Sequence, residues 1–100
     1  IIYQEGKVKA LGISNCYNTH FFKELYKAAK VKPSFLQNRF YKESGYDIEL
    51  RKFCKENKVR YQSFWTLTAN PHILASGVIK KMCEKYKKNP EQIFYAVLMN

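Results

Sequence analysis

The sequence is poor in acidic residues: 8 Asp and Glu face 18 Lys and Arg in 100 residues, giving a formal net charge of +10. It has three cysteines and two histidines. Cys16, Cys54 and Cys83 are odd in number and widely spaced, and no two lie close enough for a Cys-x-x-Cys metal or redox motif, so all three are read as reduced thiols. His20 and His72 stand apart and are read as turn or surface residues, and no metal site is expected. No apolar run approaches the ~20 residues that span a bilayer, and the start lacks the basic-then-apolar plan of a signal peptide. There is no linker, low-complexity stretch or internal sequence repeat. A soluble, cytoplasmic protein without a membrane partner is the expectation.

Against these absences, 46% hydrophobic and 26% charged residues place the chain among globular proteins, and 100 residues suit a single domain. The excess of positive charge would fit a polyanion such as nucleic acid. Its distribution argues otherwise. Lys7, Lys9, Lys23, Lys27, Lys30, Lys52, Lys55 and Lys58 are scattered, and the densest group, Lys80 and Lys81 to Lys87 and Lys88, falls mostly on the polar positions of one helix. A solvated helix face accounts for that group. A basic nucleic-acid-binding module stays as an alternative, but no RNP motif or helix-turn-helix supports it, and no nucleic-acid partner is expected.

Residues 1–6 read as the last turn of a helix closed by Gly6 in the left-handed position. Val8 to Ile13 is short, aliphatic and followed by the turn-prone Ser14-Asn15, the pattern of a buried strand. Asn18 then serves as a helix cap, with Phe22, Leu25, Tyr26 and Ala29 on one face and Lys23, Glu24, Lys27 and Lys30 on the other. A second strand is expected from Ser34 to Asn38, and a helix from Asp47 to Asn57 with Leu50, Phe53 and Cys54 as its apolar stripe. A third strand, Val59 to Phe64, is more polar than a core strand because it contains Gln62 and Ser63. A loop from Trp65 to Pro71 follows, then a helix with the stripe Ile79, Met82, Cys83 and Tyr86. A last helix opens with Asn89 as cap, Pro90 first and Gln92 three after the cap. Its buried face is expected to carry Ile93, Phe94, Val97 and Leu98.

A strand and a helix thus recur about every 25 residues, which implies α/β architecture with a parallel sheet and suits units of a (β/α)8 barrel of ~250 residues. Three parallel strands with their helices are expected as a single partial domain over residues 1–100. The opening in a helix end and the close on a helix with no following strand read as a segment cut from both sides. In such folds ligands gather at the carboxyl ends of the strands. Here those ends carry Ser14-Asn15, Gln37-Asn38 and Phe64-Trp65-Thr66-Leu67-Thr68. Strands lie about 4.8 Å apart, so these groups are within reach of one small planar ligand. Taken one at a time, the same residue types also cap turns and helices.

These stretches resemble the aldo-keto reductase family. Gly6 to Asn15 is similar to the family's fifth strand, "GKV(R/K)-x-(I/L)-G-(V/I)-S-N", and this is the most specific match. Lys32 to Tyr41 resembles the sixth strand with its Gln, Phe53-Cys54-Lys55-Glu56 the helix after it, and Val59 to Pro71 the seventh strand with the cofactor loop. The resemblance covers essentially the whole chain as the fifth to seventh βα units of the barrel. It implies that Ser14, Asn15 and Gln37 hold the nicotinamide carboxamide of NADP(H) and that Phe64, where the family usually has Tyr, stacks on the ring. It further implies that Trp65, Thr66, Leu67 and Thr68 occupy the pyrophosphate loop, where Ser-Pro-Leu-Gly is common and only Leu67 matches directly. Cys16, in place of the common Phe, is expected to shape the pocket.

The family's catalytic Asp, Tyr, Lys and His lie on strands before this segment, so no catalytic residue is assigned here. The eight tyrosines, Tyr17 and Tyr61 included, are read as core or interface aromatics. The resemblance implies a segment of an NAD(P)H-dependent reductase acting on a small carbonyl substrate, an aldehyde or ketone, with the remainder of its own barrel as structural partner. A catalytically silent aldo-keto-reductase-like regulator would keep the same cofactor face and remains a second alternative.

Overall fold

A computed structural model describes residues 3–99 of the chain. It divides into two compact units, one ending at Phe64 and the other beginning at Trp65.

In the first unit three strands, β1 (Gly12–Ser14), β2 (Phe35–Arg39) and β3 (Arg60–Phe64), form a parallel sheet in the order β1-β2-β3. Helices α1 (Thr19–Ala28) and α2 (Ile48–Glu56) fill the two crossovers. This is the α/β arrangement of part of a (β/α)8 barrel, as expected. The register sets Ile13 beside Leu36 and Leu36 beside Tyr61, while Ser14 pairs with Gln37 and Gln37 with Gln62. Side chains alternate along a strand, so these two rows face opposite sides of the sheet. The first row packs under the helices with Phe22, Leu50, Cys54, Val59, Tyr26 and Phe53. Phe22 is fully buried and meets the Phe53 ring edge-on at 5.9 Å. Burying a side chain of that size stabilises by roughly 1.5–3 kcal/mol.

The cap at Asn18 forms as read: its Oδ1 accepts from the Phe21 amide at 2.9 Å. Such a cap contributes about 1 kcal/mol. The first strand is shorter than expected. Residues 8–11 are not in the sheet, and Val8 and Leu11 are exposed, because pairing begins only where β2 supplies a partner to Gly12. At that point the chains approach so closely that a Cβ on Gly12 would lie 3.2 Å from Cβ of Phe35. The expected helix end before it is a turn among residues 3–6, closed by Gly6 at φ 75° with its amide donating to the Tyr3 carbonyl at 3.0 Å. Residues 1 and 2 of that reading lie outside the described residues.

One buried polar group ties the loops of this unit together. The Asn38 side chain, on the helix-covered face and fully buried, accepts from the Cys16 amide at 2.9 Å and donates to the Cys16 carbonyl at 2.7 Å. Its amide also donates to Oδ2 of Asp47 at 3.0 Å, and the same oxygen accepts from the Tyr61 hydroxyl at 2.6 Å. Asp47 is itself buried, at the end of a run (Gly45, Tyr46, Asp47) with φ between 51° and 61°. The strand-end Asn38 is therefore a loop fastener, the turn-capping role that its residue type allows.

In the second unit the expected loop contains a hydrogen-bonded turn, and at its last residue begins a one-turn helix, α3 (Pro71–Leu74), followed by α4 (Gly77–Tyr86) and α5 (Pro90–Met99). The turn closes through the Ala69 amide to the Trp65 carbonyl at 2.9 Å and through Asn70 Nδ2 to the Thr66 carbonyl at 2.9 Å. At α5 the capping pair is reciprocal: the Gln92 amide donates to Asn89 Oδ1 at 2.9 Å, and the Asn89 amide donates to Gln92 Oε1 at 3.0 Å. Ile79, Ile93 and Phe94 are buried as read, whereas Tyr86 and Val97 are more than half exposed. With Met82, Ile93 and Ala96 they line an open apolar hollow of about 440 Å³, so part of each helix stripe has no cover among the described residues.

Replacing Asn38 by Ala would strip partners from the Cys16 amide, the Cys16 carbonyl and the Asp47 carboxylate at once, and each orphaned buried group costs about 1–3 kcal/mol. The Asn38→Ala variant is expected to lose about 3 kcal/mol or more in urea denaturation. A loss below about 0.5 kcal/mol, the scale of an ordinary surface substitution, would show that the fastener is dispensable.

Candidate functional site

The face of the sheet turned away from α1 and α2 carries Ser14, Gln37 and Gln62 side by side in register, all three exposed. Hydrophobic residues would be the rule on a strand face destined for a packed core. Three neutral polar side chains in a row, each about 4.8 Å from the next strand, make instead a strip of hydrogen-bonding groups.

Beyond Ser14 the chain turns through Asn15 at φ 59°, a left-handed conformation that Asn tolerates better than most residues. The turn keeps the ladder going by one bond, from the Asn15 amide to the Gln37 carbonyl at 3.0 Å. It also brings Asn15 Nδ2 to 3.3 Å from Ser14 Oγ. Tyr17 holds the other end of this amide: its hydroxyl donates to Asn15 Oδ1 at 3.0 Å and accepts from the Arg39 backbone amide at 2.8 Å. The hydrogen bonds therefore run one way, from the Arg39 amide through Tyr17 and Asn15 to the Ser14 oxygen, so that Ser14 accepts from Asn15 and keeps its hydroxyl proton to donate. On the neighbouring strands Gln37 Nε2 donates to Gln62 Oε1 at 3.3 Å.

Phe64, the last residue of β3, lies on the same face as Gln62 by strand alternation and is partly buried, opposite Arg39 in the register. The Arg39 guanidinium sits 5.1 Å above the Tyr41 ring, and Tyr41 meets Tyr17 edge-on at 6.2 Å. The structure thus brings together Ser14, Asn15 and Gln37 on one sheet face, with Phe64 at its β3 end. Trp65, Thr66, Leu67 and Thr68 belong to the second unit. There Trp65 is exposed at φ 56°, Thr66 is buried, Leu67 is partly buried and Thr68 is exposed.

Two participants went unassigned in the sequence. Gln62 lies 25 residues after Gln37, the strand-to-strand period itself, and its polarity in a parallel strand was the signal available. The sequence marks Tyr17 only as a packing aromatic; its ring does pack, but its hydroxyl bridges Asn15 to β2. No such bridge can be read from spacing alone. No group of three or more His, Cys, Asp and Glu able to hold a metal occurs among the described residues, nor is any helix among them long and apolar enough to cross a membrane.

The covered side of the sheet is electrostatically different. Burial, reinforced by the nearby Asp47 carboxylate, pushes the Cys54 thiol up to about 11 and raises that of Cys16. Burial and the hydrogen bond to Asp47 likewise raise the Tyr61 phenol far above its ordinary range. Thiols held protonated in this way are poor nucleophiles, which places Cys16 and Cys54 in the structural part of the molecule.

Comparison with known proteins gives a consistent answer. The chain is 30% identical over 92 residues to glyoxal reductase of Bacillus subtilis (strain 168), and 30% identical over 94 residues to 9,11-endoperoxide prostaglandin H2 reductase of Trypanosoma cruzi (strain CL Brener). It is 30% identical over 101 residues to aldo-keto reductase family 1 member A1 of Gallus gallus. Each match takes in 92% of this chain but only 30–32% of the relative, so the chain spans about a third of the length of the curated relatives it matches. No protein-family model matches the chain.

The raised Cys54 value fixes a pH dependence. A thiol with a folded value above its unfolded 9.0 favours the fold fully below pH 9, and that contribution disappears as the pH climbs through about 11. The urea midpoint should fall across this window, and Cys54→Ala should flatten the fall. At pH 8, iodoacetamide should reach the partly exposed Cys83 in the native protein while Cys16 and Cys54 react only after denaturation. Equal labelling of all three thiols, read by mass spectrometry, would contradict the buried placement.

Proposed function

We propose that this chain, similar along 92% of its length to aldo-keto reductases, is the part of such a reductase that grips the nicotinamide end of NADP(H). In the complete barrel it would supply the fifth to seventh βα units, and the protein would reduce an aldehyde or ketone to the alcohol in the cytoplasm. The observation that carries this reading is the exposed strip of Ser14, Asn15 and Gln37 on the sheet face away from the helices, with Phe64 beside it.

The donor set fits a nicotinamide. A primary carboxamide offers one acceptor oxygen and two N–H donors. The Ser14 hydroxyl would donate to the oxygen, and the Gln37 side-chain carbonyl would accept from the amide. Asn15, held by Tyr17, donates to the Ser14 oxygen, which leaves the Ser14 hydroxyl to serve as a donor. Phe64 supplies a ring face for stacking, which needs no hydroxyl. Residues Trp65 to Thr68 are proposed to run along the pyrophosphate. When bound, the cofactor supplies a hydride to the substrate carbonyl. The residues of this segment do no proton transfer to substrate; they orient the ring and so decide which of its faces is presented.

In the full-length protein, Phe64→Ala is expected to weaken NADPH binding by about 1–3 kcal/mol through lost stacking area, and Gln37→Ala by about 1 kcal/mol through one lost hydrogen bond. Both are measured by titrating the quenching of cofactor fluorescence. Unchanged binding in both variants would remove this strip from the cofactor site.

A further inference from the structure

We infer that Gln62 is a positioning residue that fixes which way the Gln37 carboxamide faces, and thereby makes the site selective for a ring bearing a primary carboxamide rather than one whose amide nitrogen has been replaced. The inference rests on the nicotinamide reading above and deepens it.

A glutamine side chain presents a donor on one side and an acceptor on the other, and rotation by half a turn exchanges them at almost no intrinsic cost. An exposed glutamine alone would therefore offer a ligand either polarity. Gln37 is not alone: its Nε2 donates to Oε1 of Gln62 at 3.3 Å, across directly paired positions of β2 and β3. With the nitrogen turned toward β3, Oε1 is turned toward Ser14 and the open face. Gln37 then acts as an acceptor and demands a donor from whatever binds. On the β1 side the hydrogen bonds from the Arg39 amide through Tyr17 and Asn15 end on Ser14 Oγ as acceptor, so the Ser14 hydroxyl has its proton left to donate. The face thus reads donor on β1 and acceptor on β2. A carboxamide lying across it places its oxygen toward Ser14 and its nitrogen toward Gln37. A ketone or carboxylate in the same place lacks the N–H that Gln37 requires: the ketone sets a methyl group against the Gln37 oxygen, and the carboxylate sets a second acceptor oxygen there. The Gln62 amide nitrogen, turned away from Gln37, does not restore the missing donor.

The test compares affinities of the full-length protein for NADP+ and for its 3-acetylpyridine analogue, in which a methyl group replaces the amide nitrogen, by isothermal titration calorimetry. The wild type should bind NADP+ about fivefold or more tightly than the analogue, the scale of one hydrogen bond. Gln62→Leu removes the acceptor that holds Gln37 and should bring the ratio close to one, chiefly by weakening NADP+. Gln62→Glu keeps an acceptor oxygen at that position and should restore the wild-type ratio, which a variant acting only through stability would not do. A wild-type ratio retained in Gln62→Leu, while Gln37→Ala still weakens NADP+, overturns the positioning role alone. If Gln37→Ala leaves NADP+ affinity unchanged, the nicotinamide reading itself fails and this inference with it.

Discussion

The buried carboxamide of Asn38 is the group on which the rest of the first unit depends. It takes the place of a missing strand for Cys16, pairing with both the amide and the carbonyl of that residue, and passes a further hydrogen bond to Asp47, which also receives the Tyr61 hydroxyl. One side chain thereby connects the β1–α1 loop, the turn before α2 and strand β3. In a low-dielectric interior such a network is stabilising only when every member is satisfied. Its geometric consequence is that Ser14 and Asn15, two residues and one residue before the clamped Cys16, are held at a defined position against Gln37.

Strand alternation then separates structure from chemistry. Leu36 and Asn38 face the helices and bury completely; Gln37 between them faces the other way and stays exposed. The same division holds for Ile13 against Ser14 and for Tyr61 against Gln62. A sheet whose one face is covered by helices and whose other face holds polar residues near the carboxyl ends of its strands suits a barrel in which helices lie outside and ligands gather at those strand ends. The charge excess has no part in that division, since the strip itself is built of neutral groups.

Much of this was legible in the sequence because the signals were local. The caps at Asn18 and Asn89 depend on side chains three residues away, and they formed as read. The parallel α/β order followed from the recurrence of strand and helix. The misjudged features all depended on partners distant in sequence. Val8 to Leu11 is aliphatic enough for a strand but, apart from the Leu11 carbonyl accepting from the Ser34 amide, stays outside the sheet, and the apolar Tyr86 and Val97 meet no cover among the described residues. The opposite roles of Gln37 and Asn38, adjacent and chemically alike, are set by the direction each faces. The sequence shows both as amides at a strand end; only the register tells which one is spent on the fold.

That distinction is open to direct observation through side-chain amide NMR signals during a titration of the full-length protein with NADP+. The expected result is that the NH2 resonances of Asn15, Gln37 and Gln62 shift with cofactor while those of Asn38, locked to Cys16 and Asp47, stay in place. Shifts confined to Asn38, or no shift at Gln37 under saturating cofactor, would contradict the assignment of the exposed strip as the nicotinamide grip.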